Sequence, residues 1–146
     1  ESAEGKLIFT EPLVWITGED HERPMQDPLP LVLAPPPCMY RNRMLQTLNT
    51  LSRSCRIVYL SSSYNGIIAA VKAGLGVTAM SGSTIPSGVR QLGEREGFPS
   101  LGELQLRLHF GETKKNDAIK ALEDHICGSF ATPEVVRTAY LHADGR

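Results

Sequence analysis

Residues 56–81 decide the fold, and they carry the sequence RIVYLSSSYNGIIAAVKAGLGVTAMS. The β-branched and aromatic run at 56–60 predicts a buried strand. Serine is a strong N-cap residue, so the three serines that follow favour the start of a helix. The helix is predicted from apolar residues at spacings of three and four, namely Tyr64, Ile67, Ile68, Val71 and Leu75. Gly74 suits a left-handed helix end, and residues 77–80 predict a second strand. The segment is therefore predicted to be a strand–helix–strand unit with parallel strands.

The serine-rich turn of this unit is a candidate ligand site. Backbone N–H groups in the first turn of a helix are unpaired and carry the positive end of the helix dipole. Ligands of open parallel sheets bind beyond the carboxyl ends of the strands, where this turn would lie. The candidate cradle for a carboxylate or another small polar ligand consists of Ser61, Ser62, Ser63 and Tyr64. The alternative is that Ser62 or Ser63 only caps the helix, and the residues alone leave both interpretations open.

The composition is typical of one ordinary globular domain. The chain has 146 residues, a net charge of −1 and a sequence pI near 6.5, which gives no overall charge for nucleic-acid binding. No apolar run reaches the length of a membrane span, and no signal peptide is visible. Cys38, Cys55 and Cys127 are odd in number and widely spaced, which favours reduced thiols in a cytoplasm over a disulfide framework. The chain begins without Met, so we expect a piece of a longer protein.

Further strands and a helix are predicted before the serine-rich turn. Two apolar runs, at 7–9 and 13–16, predict two short strands, the second beginning after Pro12. Residues 29–33 predict a buried strand that the following prolines end. A helix is predicted from about residue 39 to residue 51. Arg41 and Arg43 are the closest pair of basic residues that we single out, and the pair is interpreted as a solvated face of this helix.

The remaining chain predicts two more strands and a last helix. Residues 89–92 predict a short strand, and the alternating leucines at 104–109 predict a half-exposed one. The last helix is predicted over 116–130, with Ile119, Leu122, Ile126 and Phe130 as its apolar stripe. Residues 131–146 are mostly polar, and we expect a mobile tail there.

No motif indicates catalysis. Residues 74–79 match the G-x-G-x-x-A spacing, but a helix precedes them and a strand follows, which is the reverse of a dinucleotide-binding turn. The four histidines fall on polar or terminal stretches, and none is placed for a catalytic triad. Cys38 lies at a predicted helix start without a nearby general base. We therefore expect no catalytic residue, no cofactor and no metal site.

Four ordered pieces of the chain resemble the C-terminal effector-binding domain of LysR-type transcriptional regulators. They are LVWI at 13–16, LPLVL at 29–33, AAVKAGLGV at 69–77 and GFPSL at 97–101. The resemblance implies an α/β fold like that of the type 2 periplasmic binding proteins. It would be a lobe with a mostly parallel sheet flanked by helices, together with crossing strands and a C-terminal helix.

The resemblance also implies a division of the chain. Residues 1–19 would be the crossing-strand region, and residues 20–103 the second lobe of the effector-binding domain. Residues 104–130 would be the return strand and helix of the first lobe, and residues 131–146 the tail. By the same resemblance, this piece of sequence is expected to leave out the first half of the first lobe and the N-terminal winged helix-turn-helix of the family.

By position in the family, the cleft wall of the second lobe would consist of two turns and the end of a strand. These are Pro36, Pro37 and Cys38, then Ser61 to Tyr64 of the serine-rich turn, then Met80 and Ser81. The implied partners are a small-molecule effector, with an anion as the first candidate, and further copies of the chain in a dimer or tetramer. DNA would be bound only through the absent N-terminal domain, in the cytoplasm and without contact to a membrane.

Two other functions stay open on the sequence. The same α/β architecture occurs in solute-binding proteins and in some enzymes, although the missing signal peptide and catalytic set argue against both. A non-catalytic assembly domain is the third interpretation. Apolar faces of the helices at 39–52 and 116–130 would be left exposed if the first lobe is incomplete, and this favours oligomers.

Overall fold

The computed structural model describes residues 5–22, 24–111 and 116–130. The chain divides into two compact units. The large unit is Pro12–Gly102, and the small unit combines the residues up to Glu11 with those from Glu103 onward. The mobile tail predicted at 131–146 lies outside the described residues.

Six strands and three helices occur in the described part of the chain, and this content confirms the predicted α/β class. The strands are β1 (Lys6–Gly18), β2 (Leu29–Leu33), β3 (Cys55–Leu60), β4 (Thr78–Ser81), β5 (Val89–Leu92) and β6 (Glu103–Leu108). The helices are α1 (Met39–Thr50), α2 (Tyr64–Lys72) and α3 (Asp117–Phe130). Short 3₁₀ turns at Gly82–Thr84 and Glu94–Glu96 follow β4 and β5.

Two sets of strands build the large unit. Residues 13–18 of β1 form the centre of the first set, with β4 and β5 antiparallel on its two sides. Val14 lies opposite Met80, and Trp15 lies opposite Leu92. β2 and β3 form the second set as a parallel pair.

Val77 links the two sets of strands. Its N–H donates to the carbonyl oxygen of Pro30 at 3.0 Å, and its own carbonyl accepts from the N–H of Val32 at 2.9 Å. Because this bridge is parallel, β2, β3, β4 and β5 run in one direction and β1 runs against them. The strands that flank α2 are therefore parallel, as predicted. They are not neighbours, since β2 lies between them.

The core of the large unit lies where β1, β2, β4 and α2 meet. Apolar side chains on the inner face of α2 pack against the strands, and this burial is the main stabilising contribution. The buried cluster consists of Val14, Ile16, Val32, Ile68, Ala70, Val71, Met80 and Val89. The segment at 56–81 thus contains α2, whose buried side chains pack against β1, β2 and β4.

β1 runs without interruption through Pro12, so the predicted division into two strands is wrong. A proline cannot donate to a strand ladder, but it is tolerated where the ladder does not need that donor. Pro12 is exposed, and the next residue resumes the hydrogen bonding, with the N–H of Leu13 donating to the carbonyl of Gly102 at 2.9 Å. The proline marks the boundary between the two units instead of the start of a strand.

β3 is more exposed than its apolar sequence predicts. Ile57 is 47% exposed and Leu60 is 53% exposed, whereas Val58 packs against the core. The reason is topological, because β3 pairs with β2 on one side and lies at the edge of the described strands. A buried strand was predicted, and an edge strand is observed.

The apolar stripe of α2 is shorter than predicted. Ile68 and Val71 are buried, but Tyr64 and Leu75 are exposed. The helix ends at Lys72, and Gly74 follows with a φ of +76°, which is the left-handed conformation predicted for the helix end. Leu75 therefore lies beyond the helix and does not share its buried face.

The small unit pairs β6 with β1 and adds α3. The Phe9 and Phe130 rings lie 5.8 Å apart, and Lys6 Nζ lies 3.0 Å from a carboxylate oxygen of Glu123. No residue of α3 is fully buried, and Leu122 of the predicted stripe is 58% exposed. None of the helices among the described residues has the length and apolarity that a bilayer span requires.

Candidate functional site

Two turns of the large unit meet at the carboxyl ends of β2 and β3. The first turn, with Pro36 and Pro37, leads from β2 into α1, and the second, with the three serines, leads from β3 into α2. The N–H of Ser61 donates to the carbonyl oxygen of Leu33, the last residue of β2, at 3.1 Å. This hydrogen bond holds the two turns side by side, as expected for the ends of neighbouring parallel strands.

A small cavity lies beside these turns, between α1, α2 and β4. Its volume is about 60 Å³. Three of the residues that sequence analysis selected line it, namely Cys38, Tyr64 and Met80. They come from the start of α1, the start of α2 and β4, so residues from all three predicted parts of the cleft wall line one cavity.

The other predicted residues lie around the cavity and are not part of its lining. Pro36 and Pro37 are exposed in the turn after β2, and Ser62 is exposed in the serine-rich turn. Ser81 is buried, with its hydroxyl 3.2 Å from that of Ser83. Its carbonyl accepts from Thr84 Oγ1 at 3.2 Å, which ties the end of β4 to the following 3₁₀ turn.

Local hydrogen bonds order the serine-rich turn. Ser63 is the N-cap of α2, and its Oγ accepts from the N–H of Gly66 at 3.3 Å. Ser61 Oγ accepts from the N–H of Ser63 at 3.1 Å. The capping role considered for Ser63 is thus present in the structure. It leaves Tyr64, the first residue of the helix, at the edge of the cavity.

The start of α1 has no comparable cap. Cys38 is its N-cap residue, with an extended backbone and no hydrogen bond from its side chain. The first turn of α1 also contains no acidic residue. The positive end of this helix dipole is therefore compensated neither by a capping side chain nor by a carboxylate on its own turn.

Arg41 was not predicted as a site residue, because the Arg41–Arg43 pair is interpreted from the sequence as a solvated helix face. Arg43 is exposed, but Arg41 is half-buried and lines the cavity. Arg41 Nη1 donates to the carbonyl oxygen of Ala34 at 3.3 Å. Helical periodicity is the signal that could have found it, since Arg41 lies three residues before the buried Met44.

The floor of the cavity is apolar. Met44 of α1, Ile68 of α2 and Ala79 of β4 line it and are buried. The sequence placed Ile68 on the apolar stripe of a helix and gave no reason to connect it with a ligand. The cavity thus combines one cationic side chain, Arg41, with a buried apolar surface.

A larger cavity belongs to the small unit. Its volume is about 230 Å³, and it lies between the end of β6 and α3, next to Phe110, Ile119 and Leu122. None of the residues predicted to bind a ligand lines it. Glu123, which also borders it, forms the ion pair with Lys6. The hydrogen bond from Lys6 Nζ to Glu123 raises the pKa of the Lys6 ammonium above its ordinary value, and the neighbouring Cys127 contributes in the same direction.

Comparison with known proteins relates this arrangement to transcriptional regulators. The chain is 30% identical over 116 residues to the HTH-type transcriptional regulator PecT of Dickeya dadantii (strain 3937), covering 80% of this chain and 37% of PecT. It is 29% identical over 126 residues to the HTH-type transcriptional regulator DgdR of Burkholderia cepacia, covering 86% of this chain and 43% of DgdR. The chain spans less than half the length of these two relatives.

A solved structure shares the fold. The structure of the CcmR regulatory domain of Synechocystis PCC6803, in complex with 2-PG, matches with a TM-score of 0.57 and 15% sequence identity. The match covers 88% of this chain and 69% of that chain. At this identity the likeness shows the fold alone, and it supports the predicted architecture of a LysR-type regulatory domain. The family model described as the LysR substrate binding domain matches residues 1–125. Because that match covers most of the 146 residues, the chain belongs to the LysR substrate-binding domain family.

Proposed function

We propose that the cavity between α1, α2 and β4 is the effector site of a LysR-type transcriptional regulator. The observation that carries the proposal is that Cys38, Tyr64 and Met80, from the start of α1, the start of α2 and β4, line one cavity. Ligands of α/β sheets bind at this end of the strands. The residues predicted around it, from Pro36 to Ser81, would form the wall that contacts the effector or orients the residues that do.

Residues 20–103 would act as the second lobe of the effector-binding domain, and they make up most of the large unit, which begins at Pro12. The return strand and helix at 104–130 would belong to the first lobe. Within the regulator, the effector would shift the balance between two arrangements of lobes or subunits by binding one of them more tightly. DNA would be bound by an N-terminal domain in the same cytoplasmic protein.

An anionic effector is favoured by the electrostatics of the site. The cavity lies beside the starts of α1 and α2, where helix dipoles are positive. The CcmR regulatory domain, which has a similar fold, was solved in complex with the small molecule 2-PG. By analogy, we propose a small molecule of similar size for this chain. The family match also favours a regulator over a solute-binding protein.

A thermal-shift screen of the chain tests this function. Small carboxylates, phenols, sugars and aromatic metabolites are added singly, and an effector raises the melting temperature because it binds only the folded state. Ser63→Ala removes the cap of α2 beside the cavity, and Ser87→Ala, which changes an exposed serine outside the cavity lining, serves as the control. A shift that is lost in the first variant and kept in the second supports the site. A screen without any shift would contradict it.

Assembly is a second candidate function, and exposed apolar side chains favour it. Ile57 and Leu60 are exposed on β3, and Leu122 is exposed on α3. Apolar residues at a strand edge or along a helix face often mark contacts between chains. We propose that the chain forms a dimer or a tetramer through such faces.

A further inference from the structure

We infer that Arg41 determines the specificity of the proposed effector site, and that the effector is a small carboxylate with a short apolar body. The inference rests on the function proposed above. It adds the chemical class of the ligand and names the residue that selects it. Three observations carry it, namely the uncompensated charge of Arg41, its place in the first turn of α1, and the apolar floor beneath it.

The first observation is the state of the guanidinium. Arg41 is half-buried, and Nη1 makes a 3.3 Å hydrogen bond to the carbonyl of Ala34. No carboxylate of the described chain forms an ion pair with it. A partly buried cation without a counter-charge is unfavourable, and a guanidinium has five N–H donors. A bound carboxylate would supply both the charge and a pair of acceptors.

Other arginines of the large unit have different surroundings. Arg90 pairs with Glu96 at 2.6 Å. Arg43 donates to the carbonyl of Leu101 at 3.2 Å, and neither Arg43 nor Arg90 lines the cavity. Among the residues that line the cavity, Arg41 is the one with a permanent charge. The site therefore combines an unpaired cation with a concave surface, which is the arrangement that binds a small anion.

The second observation is the position of Arg41 in its helix. Arg41 is the third residue of α1, within the turn that has neither an acidic residue nor a capping hydrogen bond from Cys38. A cation in the first turn is repelled by the helix dipole. Folding alone therefore does not favour an arginine here. An anion bound beside it would be attracted by the guanidinium and by the helix end together.

The third observation concerns the rest of the ligand. Met44, Ile68 and Ala79 form an apolar floor, and the cavity of about 60 Å³ has room for a group of a few heavy atoms. A bare inorganic anion would leave this floor uncovered. A carboxylate that carries a short hydrocarbon chain would place its charge at Arg41 and bury its apolar part on the floor.

Butyrate is the probe that tests the inference, and butyramide is its uncharged match. Each is titrated into the ¹⁵N-labelled chain, and amide shifts of α1 and α2 residues around the cavity report binding. We expect butyrate to bind and Arg41→Gln to weaken it at least about tenfold, since a charge-assisted bidentate contact is lost. Arg95→Gln, which removes an exposed arginine outside the cavity, should leave the affinity unchanged.

Arg41→Lys is a second variant that keeps the charge but not the planar pair of donors, so an intermediate loss of affinity is expected. The dispersed amide spectrum of each variant shows that it is folded. Equal butyrate binding by wild type and Arg41→Gln would overturn the inference, as would equal binding of butyramide and butyrate. Both results leave the proposed effector site intact. If butyrate shifts no cavity residue, the carboxylate class is wrong, and the thermal-shift screen decides separately whether the site binds an effector.

Discussion

The indole N–H of Trp15 donates a 2.8 Å hydrogen bond to the carbonyl oxygen of Pro99. The two residues are 84 positions apart in the chain, and Trp15 is only 2% exposed. The Phe98 ring lies 5.6 Å from the Trp15 ring and is also buried. Two of the pieces that resemble the family, LVWI and GFPSL, therefore meet in the large unit. These two pieces of sequence occur together because their side chains pack against each other, one from β1 and the other from the segment before β6.

Trp15→Phe is expected to lower the free energy of unfolding by about 1–3 kcal/mol. The substitution leaves the carbonyl of Pro99 without its donor and removes part of a buried ring. Urea denaturation followed by circular dichroism measures the change. Leu75→Ala, at an exposed position, is the control and should change stability by less than about 0.5 kcal/mol. Equal effects of both substitutions would contradict the role of the hydrogen bond.

The N-cap of α2 gives a second prediction, with a control one residue away. Ser63→Ala removes the oxygen that accepts from Gly66, and loss of an N-cap costs about 0.5–2 kcal/mol. Ser62 is exposed and is not the cap residue, so Ser62→Ala should be close to neutral. The difference between the two midpoints of urea denaturation checks the prediction. A larger loss for Ser62→Ala would show that the cap is assigned to the wrong serine.

Gly76 is expected to tolerate no side chain. A Cβ atom there would lie 2.6 Å from the carbonyl oxygen of Pro30, which belongs to β2 and accepts the hydrogen bond of Val77. Gly76→Ala should therefore destabilise the chain by about 1–3 kcal/mol, as overpacking does. Gly93→Ala is the matched control, because a Cβ at Gly93 meets no atom within 4 Å. Thermal melts of both variants measure the difference, and similar melting temperatures would refute the close approach.

The exposed apolar faces lead us to expect a dimer or a larger species in solution. Multi-angle light scattering at several concentrations measures the mass. Leu122→Lys places a charge on the exposed face of α3 and should shift the distribution toward the monomer. Leu75→Lys changes an equally apolar residue in the turn after α2 and should not. A clean monomer of the wild-type chain at high concentration would argue against assembly.

The Lys6–Glu123 pair predicts a titration shift in the small unit. The hydrogen bond to Glu123 raises the pKa of Lys6, and Cys127 contributes in the same direction. Since the folded state holds this proton more tightly, the pair stabilises the fold at every pH below the ordinary lysine value. That contribution is lost as the pH rises through the raised pKa. NMR titration of the Lys6 side chain should show a lower pKa in Glu123→Gln.

Asp124→Asn is the control for this titration. Asp124 follows Glu123 on α3, is exposed, and forms no ion pair with Lys6. Its replacement should leave the Lys6 pKa close to that of the wild type. If both variants lower the pKa equally, the general acidity of the helix would be the cause, and the specific hydrogen bond would not.

Periodicity and turn chemistry predicted the elements well, because both depend on neighbouring residues. The strand at 29–33, the strand at 89–92 and the helix that Ser63 caps all occur where the sequence indicates them. Local patterns were less successful in predicting burial, because the burial of a segment depends on which other segments pack against it. The run at 56–60 has the composition of a buried strand, but it lies at an edge, because no described strand pairs with its outer side.

The candidate site shows the same division. A serine-led helix start after a strand is visible in the sequence, and it led to Ser61, Ser63 and Tyr64. The position of Arg41 at the cavity could not be predicted from the sequence, because it depends on how α1 packs against β4. A sequence pattern can show that a charge lies on a helix. Whether that charge is solvated depends on the residues that pack around it.

The sequence by itself determined the α/β class, the order of most elements, the serine-led start of α2 and the family, since these depend on local propensities and on ordered motifs. Tertiary structure alone decided that β2 lies between β3 and β4, and that Pro12 lies within one continuous strand. It also decided that Cys38, Arg41, Tyr64 and Met80 share a cavity. The physical reason is that strand order and cavity lining depend on contacts between residues far apart in the chain, and no local pattern encodes these contacts.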